Sequence, residues 1–172
     1  IIFAISIFNS LFFFNNILQN GFENFYLVDL LKKLLEPTPH IVDVITTNYD
    51  RLAEYASDIV KANVITGYEG SYYKLIEMPS SNLYSRIMRE RKRTINLWKV
   101  HGSLDWFMAP TGEMCALSHT ESVPDNFLPN IVPPGRSKYK TTHFEPYRFI
   151  MAQADKAIGN AESFLVFGYG FN

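Results

Sequence analysis

The chain carries a single cysteine, Cys115, among its 172 residues. One thiol allows no internal disulfide and no zinc cluster built on thiolates, and it implies a reducing, cytoplasmic setting. Strong net charge is also missing: a balance of −1 argues against a surface devoted to nucleic acid. No hydrophobic run is long enough to span a bilayer. The longest, inside IIFAISIFNSLFFFNN at residues 1–16, is about 14 residues, interrupted by Ser6, Asn9 and Ser10, against the roughly 20 required. It lacks the basic region and small-residue cleavage site of a signal peptide and reads as a buried helix. There is no starting methionine, and the text stops at Asn172 straight after an apolar strand; both features fit a fragment. Internal repeats and low-complexity linkers are absent.

What is present is an ordinary globular composition, 47% hydrophobic and 19% charged, in a chain long enough for one domain with a proper core. The organising stretch is HIVDVITTNYDRLAE at His40–Glu54. Ile41–Thr46 is short and β-branched, the pattern of a buried strand. Leu52, Tyr55, Ala56 and Ile59 then recur at helical spacing, with Asp50 placed as N-cap. Before this unit, Phe22 to Leu35 keep approximate helical spacing as far as the Pro37-Thr38-Pro39 break. After it come a short strand at Val64–Thr66, a helix over Ser80–Arg93 and a second apolar strand, Ile95–Val100. Trp106–Ala116 has the form of a hairpin with a turn at Ala109–Gly112. The prolines at 124, 129, 133 and 134 predict irregular chain through to about 140, so residues 104–140 are expected to be an irregular insertion. A helical stripe from Tyr147 to Ile158 and a strand at Phe164–Phe167 complete the text. The expected fold is α/β, a Rossmann-like parallel sheet with flanking helices, incomplete at the N-terminus and forming one catalytic domain over 1–172.

Three strands end in polar or glycine-rich elbows: TTNYD at Thr46–Asp50, HGS at His101–Ser103 and GYG at Gly168–Gly170. Right-handed crossovers bring such elbows to one edge of a parallel sheet, the edge where ligands bind. Glycines there permit close backbone approach to a nucleotide. His101 is the side chain suited to proton transfer, since the ordinary histidine pKa is about 6.5. Asn48 is neutral, with fixed donors and an acceptor for a hydroxyl or a water. Asp50 suits a cationic or amide-bearing group. Together these residues describe a nucleotide or nucleoside pocket with one acid–base group.

TTNYD, KVHGSLDW and FLVFGYGFN, in that order, resemble the bacterial sirtuin-like family of NAD-consuming domains over roughly Ile41 to Asn172. The resemblance implies that Asn48 holds the nicotinamide ribose or the attacking water, and that His101 is the base. It implies that Asp50 lines the nicotinamide pocket and that Thr46 and Thr47 close the first elbow. Gly102 joins the NAD-contacting set, and Gly168, Tyr169 and Gly170 back the adenosine side. The family's GAG-type phosphate turn has no counterpart here and is expected upstream of Ile1. Deacylase sirtuins also carry two cysteine pairs that hold zinc. With Cys115 alone, hydrolysis or cyclisation of NAD is favoured over deacylation, and no metal is expected. The implied function is an NAD glycohydrolase of anti-phage defence. Its partners would be NAD and either further copies of the chain or fused or associated defence domains, with no direct nucleic-acid or membrane contact. A non-catalytic NAD or ADP-ribose sensor and a protein deacylase are the alternatives.

Blander uses compete for every one of these residues. Asn48 and Asp50 fit helix capping, and His101 fits a structural hydrogen bond to a carbonyl. A lone GxG is only a turn. Trp106 and Phe107 read as core, and the basic run Arg86–Arg93 as a solvated helix face. The coincidence of three elbows in order favours the functional reading.

Overall fold

The computed structural model describes residues 2–3, 19, 25–36, 41–77, 81–118, 123–132 and 144–167. In chain order the first elements are β1 (Ile2–Phe3), α1 (Tyr26–Leu34), β2 (Ile41–Thr46), α2 (Leu52–Ile59), β3 (Asn63–Ile65), β4 (Tyr68–Glu69) and β5 (Tyr73–Ile76). They are followed by α3 (Ser81–Glu90), β6 (Thr94–Lys99), β7 (Gly102–Met108), β8 (Met114–Leu117), β9 (Leu128–Ile131), α4 (Tyr147–Asn160) and β10 (Val166–Phe167).

Five of the strands form a wholly parallel sheet in the order β10-β1-β2-β6-β3. Its central strands are apolar toward both faces because both faces are covered. On one side Val42, Val44, Ile95 and Leu97 pack against Val28, Leu31 and Leu35 of the α1 segment and Leu52 and Ala56 of α2. On the other, Ile45 and Trp98 join Ile87 of α3 and Tyr147, Ile150 and Ala154 of α4. The expected α/β fold with a Rossmann-like parallel sheet and flanking helices is the one observed.

Asp43, the one charge within β2, faces the second of these layers. Its Oδ1 accepts hydrogen bonds from Asn96 Nδ2 at 2.9 Å and Trp98 Nε1 at 3.1 Å. Asn96 is its register partner on β6, and the hydroxyl of Tyr84 donates to Asn96 Oδ1 at 3.3 Å. The carboxylate is therefore a half-buried group whose Oδ1 serves two donors within the sheet.

The structure departs from expectation in three places. The N-terminal apolar run, expected to be helical, contributes Ile2–Phe3 as a parallel strand between β10 and β2, while residues 4–16 lie outside the described residues. A short apolar run is compatible with either a strand or a buried helix, and periodicity cannot separate the two. The second departure is the expected irregular insertion at 104–140. Its described part belongs to an antiparallel sheet, β4-β5-β8-β7-β9. The hairpin of β7 and β8 was expected, but β9 with its Pro129 was not. β9 lies at the sheet edge, where a proline without an N–H is tolerated. Third, the β4–β5 hairpin left no clear signal, since β5 alternates between exposed and half-buried positions. No helix among the described residues is long and apolar enough to cross a membrane.

Candidate functional site

Strands β2 and β6 end side by side, with Thr46 opposite Lys99. Through β1 the same level is reached by β10, because Phe3 pairs with both Thr46 and Phe167. Three carboxyl ends thus lie along one edge of the sheet. Gly168, Tyr169 and Gly170, which follow β10, lie outside the described residues.

The first two elbows are laced together. The amide of Val100 donates to the carbonyl of Thr46 at 3.1 Å, and that of Leu104 to the carbonyl of Tyr49 at 2.9 Å. Between these two bonds sits the ammonium group of Lys99, whose residue is only 1% exposed. Its Nζ donates to Tyr49 O at 3.3 Å, to Asp50 O, to Ser103 Oγ at 2.7 Å and to Glu54 Oε1 at 3.2 Å. One cation therefore grips the carbonyls of the first elbow, the hydroxyl of the second and a carboxylate of the following helix. A buried charge is tolerated only with such compensation.

Within the first elbow, Thr46 is buried and its Oγ1 accepts the amide of Asn48 at 3.1 Å, which tightens the turn. Thr47 is exposed. The side-chain amide of Asn48 makes no hydrogen bond among the described residues. Asp50, expected as the N-cap, stands one residue before the observed one: Arg51 is the N-cap of α2 and makes no side-chain cap bond, while Asp50 Oδ1 accepts the amide of Leu52 at 3.0 Å across a local turn. Asp50 Oδ2 is buried without a partner. Thr46, Asn48 and Asp50 meet around a cavity of about 20 Å³ between the sheet and α1 and α2, room for roughly one water.

His101 does not line that cavity. It is half-buried in the second elbow, and its carbonyl accepts the amide of Val132 at 2.8 Å. The neighbouring Val132 carbonyl takes the hydroxyl of Tyr49, whose pKa burial pushes up. The described residues do not by themselves enclose a nucleotide-sized hollow containing both Asn48 and His101. They bring the two into adjacent elbows fixed to one another.

Gly102, expected to admit a ligand, has φ +93°, and a Cβ there would meet Asn130 O at 2.6 Å and Tyr147 Oη at 2.9 Å. Strand β9 and α4 make the close approach, so the glycine is required by packing as well as by backbone conformation.

Sequence reasoning missed Lys99, Glu54, Tyr49 and Ser103. The available signal was a lysine inside an apolar strand, between Trp98 and Val100, within the KVHGSLDW motif itself. Burial raises the pKa of Glu54, opposed by the nearby Lys99 ammonium and reinforced by Asp105. Asp105 lies 3.7 Å from Arg51 Nε, and Arg51 also donates to Ser118 O at 2.8 Å, tying α2 to the antiparallel sheet.

Chemically, the edge offers a neutral amide beside a water-sized hollow, an orphaned carboxylate oxygen and an imidazole in the next elbow. Such groups suit orienting a hydroxyl or a water and moving a proton. Cys115 is fully buried in β8, and no cluster of three His, Cys, Asp or Glu side chains able to hold a metal occurs among the described residues. In comparisons with known proteins, the family described as SIR2-like domain matches residues 42–172. No curated protein matches the chain.

Proposed function

The chain belongs to the SIR2-like domain family, and from that premise we propose that it is an NAD glycohydrolase, releasing nicotinamide and leaving ADP-ribose or a cyclic product. Domains of this family use NAD. The observation that carries the reading is the lacing of the TTNYD and HGS elbows at the carboxyl edge of the sheet, through Val100, Leu104 and Lys99. It holds the segments bearing Asn48 and His101 in a fixed relation, as positioning catalysis requires.

The reaction asks little of the protein at the leaving group, because nicotinamide departs from a cationic pyridinium and needs no general acid. The chain's task is to orient a nucleophile and accept its proton. The Asn48 amide, with its donors and acceptor uncommitted, orients the water or ribose hydroxyl. His101 takes the proton, and Asp50 Oδ2 is left to meet the nicotinamide amide. Thr46, Thr47, Gly102, Gly168, Tyr169 and Gly170 complete the NAD-contacting set. Positioning and base assistance each contribute on the order of 10²–10⁴-fold. Depletion of cellular NAD as an anti-phage response is the biological role proposed with this chemistry.

The test is nicotinamide release from NAD by the purified protein and its Asn48→Ala and His101→Ala variants. Both substitutions are expected to abolish release while leaving the circular dichroism spectrum unchanged. Retained turnover removes the substituted residue from the mechanism. NAD binding without any release by the native protein favours a sensor module, and NAD-dependent loss of acetyl groups from a peptide favours a deacylase.

A further inference from the structure

Four oxygen acceptors surround the Lys99 ammonium, Tyr49 O at 3.3 Å, Asp50 O, Glu54 Oε1 at 3.2 Å and Ser103 Oγ at 2.7 Å. An ammonium has three protons to give. The carbonyl of Tyr49 is crowded in its turn. Besides Lys99 it meets the amide of Leu104 at 2.9 Å and the hydroxyl of Ser103 at 3.5 Å, three donors for two lone pairs. Ser103 Oγ belongs to both sets. It accepts from Lys99 and turns its own proton toward Tyr49 O, closing a triangle between the two elbows. Without this hydroxyl the three protons of Lys99 would meet three acceptors, and the two lone pairs of Tyr49 O two donors. The need to satisfy buried polar atoms is therefore met without Ser103.

We propose that Ser103 is a positioning residue for nicotinamide release, setting the aim of His101, two positions before it, against the elbow that carries Asn48. The assignment rests on the NAD reading of the site. Of the acceptors around Lys99 Nζ, Ser103 Oγ is the one supplied by the second elbow. Backbone bonds hold that elbow at its flanks, Val100 to Thr46 and Leu104 to Tyr49. The bond from the Val132 amide to the His101 carbonyl draws it toward β9 instead. Between the flanks, Ser103 Oγ ties it back to the first elbow. Orientation is what such a tie supplies, and a base is sensitive to it: a displacement of about 1 Å can cost on the order of 10²-fold in rate. A serine beside a lysine also occurs as a nucleophile with its base. Here Ser103 is 0% exposed and Lys99 1%, so no substrate reaches either.

Ser103→Ala in the full chain tests the assignment. Its melting temperature should stay within about 3 °C of the native value, because every remaining donor and acceptor keeps a partner. The kcat for nicotinamide release should fall on the order of tenfold with KM for NAD unchanged. The NMR signal of the His101 imidazole, identified by its absence from His101→Ala, should move. That signal needs no turnover, so it tests Ser103 even in a protein that releases no nicotinamide. A moved signal without native turnover overturns the NAD reading and keeps the coupling of Ser103 to His101. A native kcat overturns the assignment, and so does an unmoved imidazole signal. A raised KM with kcat unchanged would make Ser103 a binding residue, and a large drop in melting temperature would make it a structural one; either result overturns the assignment as well.

Discussion

The Nζ of Lys99 lies 3.2 Å from Oε1 of Glu54, with the lysine residue 1% exposed and the glutamate side chain 14% exposed. The pair joins the end of β6 to the first turn of α2, across the backbone carbonyls of Tyr49 and Asp50.

Lys99→Met should destabilise the protein by about 3–5 kcal/mol, because removing one partner leaves a buried group uncompensated. Urea denaturation measures this. A Lys99→Met, Glu54→Gln double variant should recover part of the loss, since contacting residues couple. Additive losses would show that the two side chains act separately.

Glu54→Gln should alter how stability depends on pH. Burial raises the Glu54 pKa above its ordinary value, so the folded state binds the proton more tightly than the unfolded chain. Native stability should therefore fall as pH rises from the usual carboxylate range through the raised value. Lys99 and Arg51 oppose this shift and Asp105 adds to it. The glutamine variant should lose that component of the slope, as read by denaturation midpoints across the acidic to neutral range.

Asp43→Ala should cost about 1–3 kcal/mol for each buried donor left without an acceptor, here Asn96 Nδ2 and Trp98 Nε1. Asp43→Asn keeps one acceptor and should cost less. Thermal unfolding of the two variants gives the order, and equal costs would contradict the hydrogen-bonding role.

Gly102→Ala should destabilise by about 1–3 kcal/mol from backbone strain alone, with more added by the approach of Asn130 O at 2.6 Å. Reduced soluble yield and a lower melting temperature are the expected signs. A variant as stable as the native protein would mean that β9 can yield.

The parts of this fold legible in the sequence were those whose pattern is local. Ile41–Thr46 and Thr94–Lys99 announce themselves as strands by β-branched and apolar content, and α4 by its stripe of Tyr147, Ile150 and Ala154. The cap was misplaced by one residue: Arg51 is the N-cap of α2, and Asp50, just before it, bonds the amide of Leu52. Ile2–Phe3 was misjudged because a short apolar run is equally compatible with a strand and with a buried helix. Strand β9 was missed because proline marks a break unless the edge position is known. Lys99 stayed invisible for a different reason. Its acceptors come from Tyr49, Asp50 and Glu54, far away in the chain, and no local rule converts a lysine between apolar neighbours into a buried clamp.

The passage from β6 to β7 is only two residues long, Val100 and His101, yet it carries the chain from the parallel sheet into the antiparallel one. The backbone of His101 therefore sits at a seam between the two sheets. Thr66 and Gly67 make an equally short passage from β3 to β4, so any tilt of one sheet against the other must be shared between the torsions of these two links, and the setting of His101 changes with it.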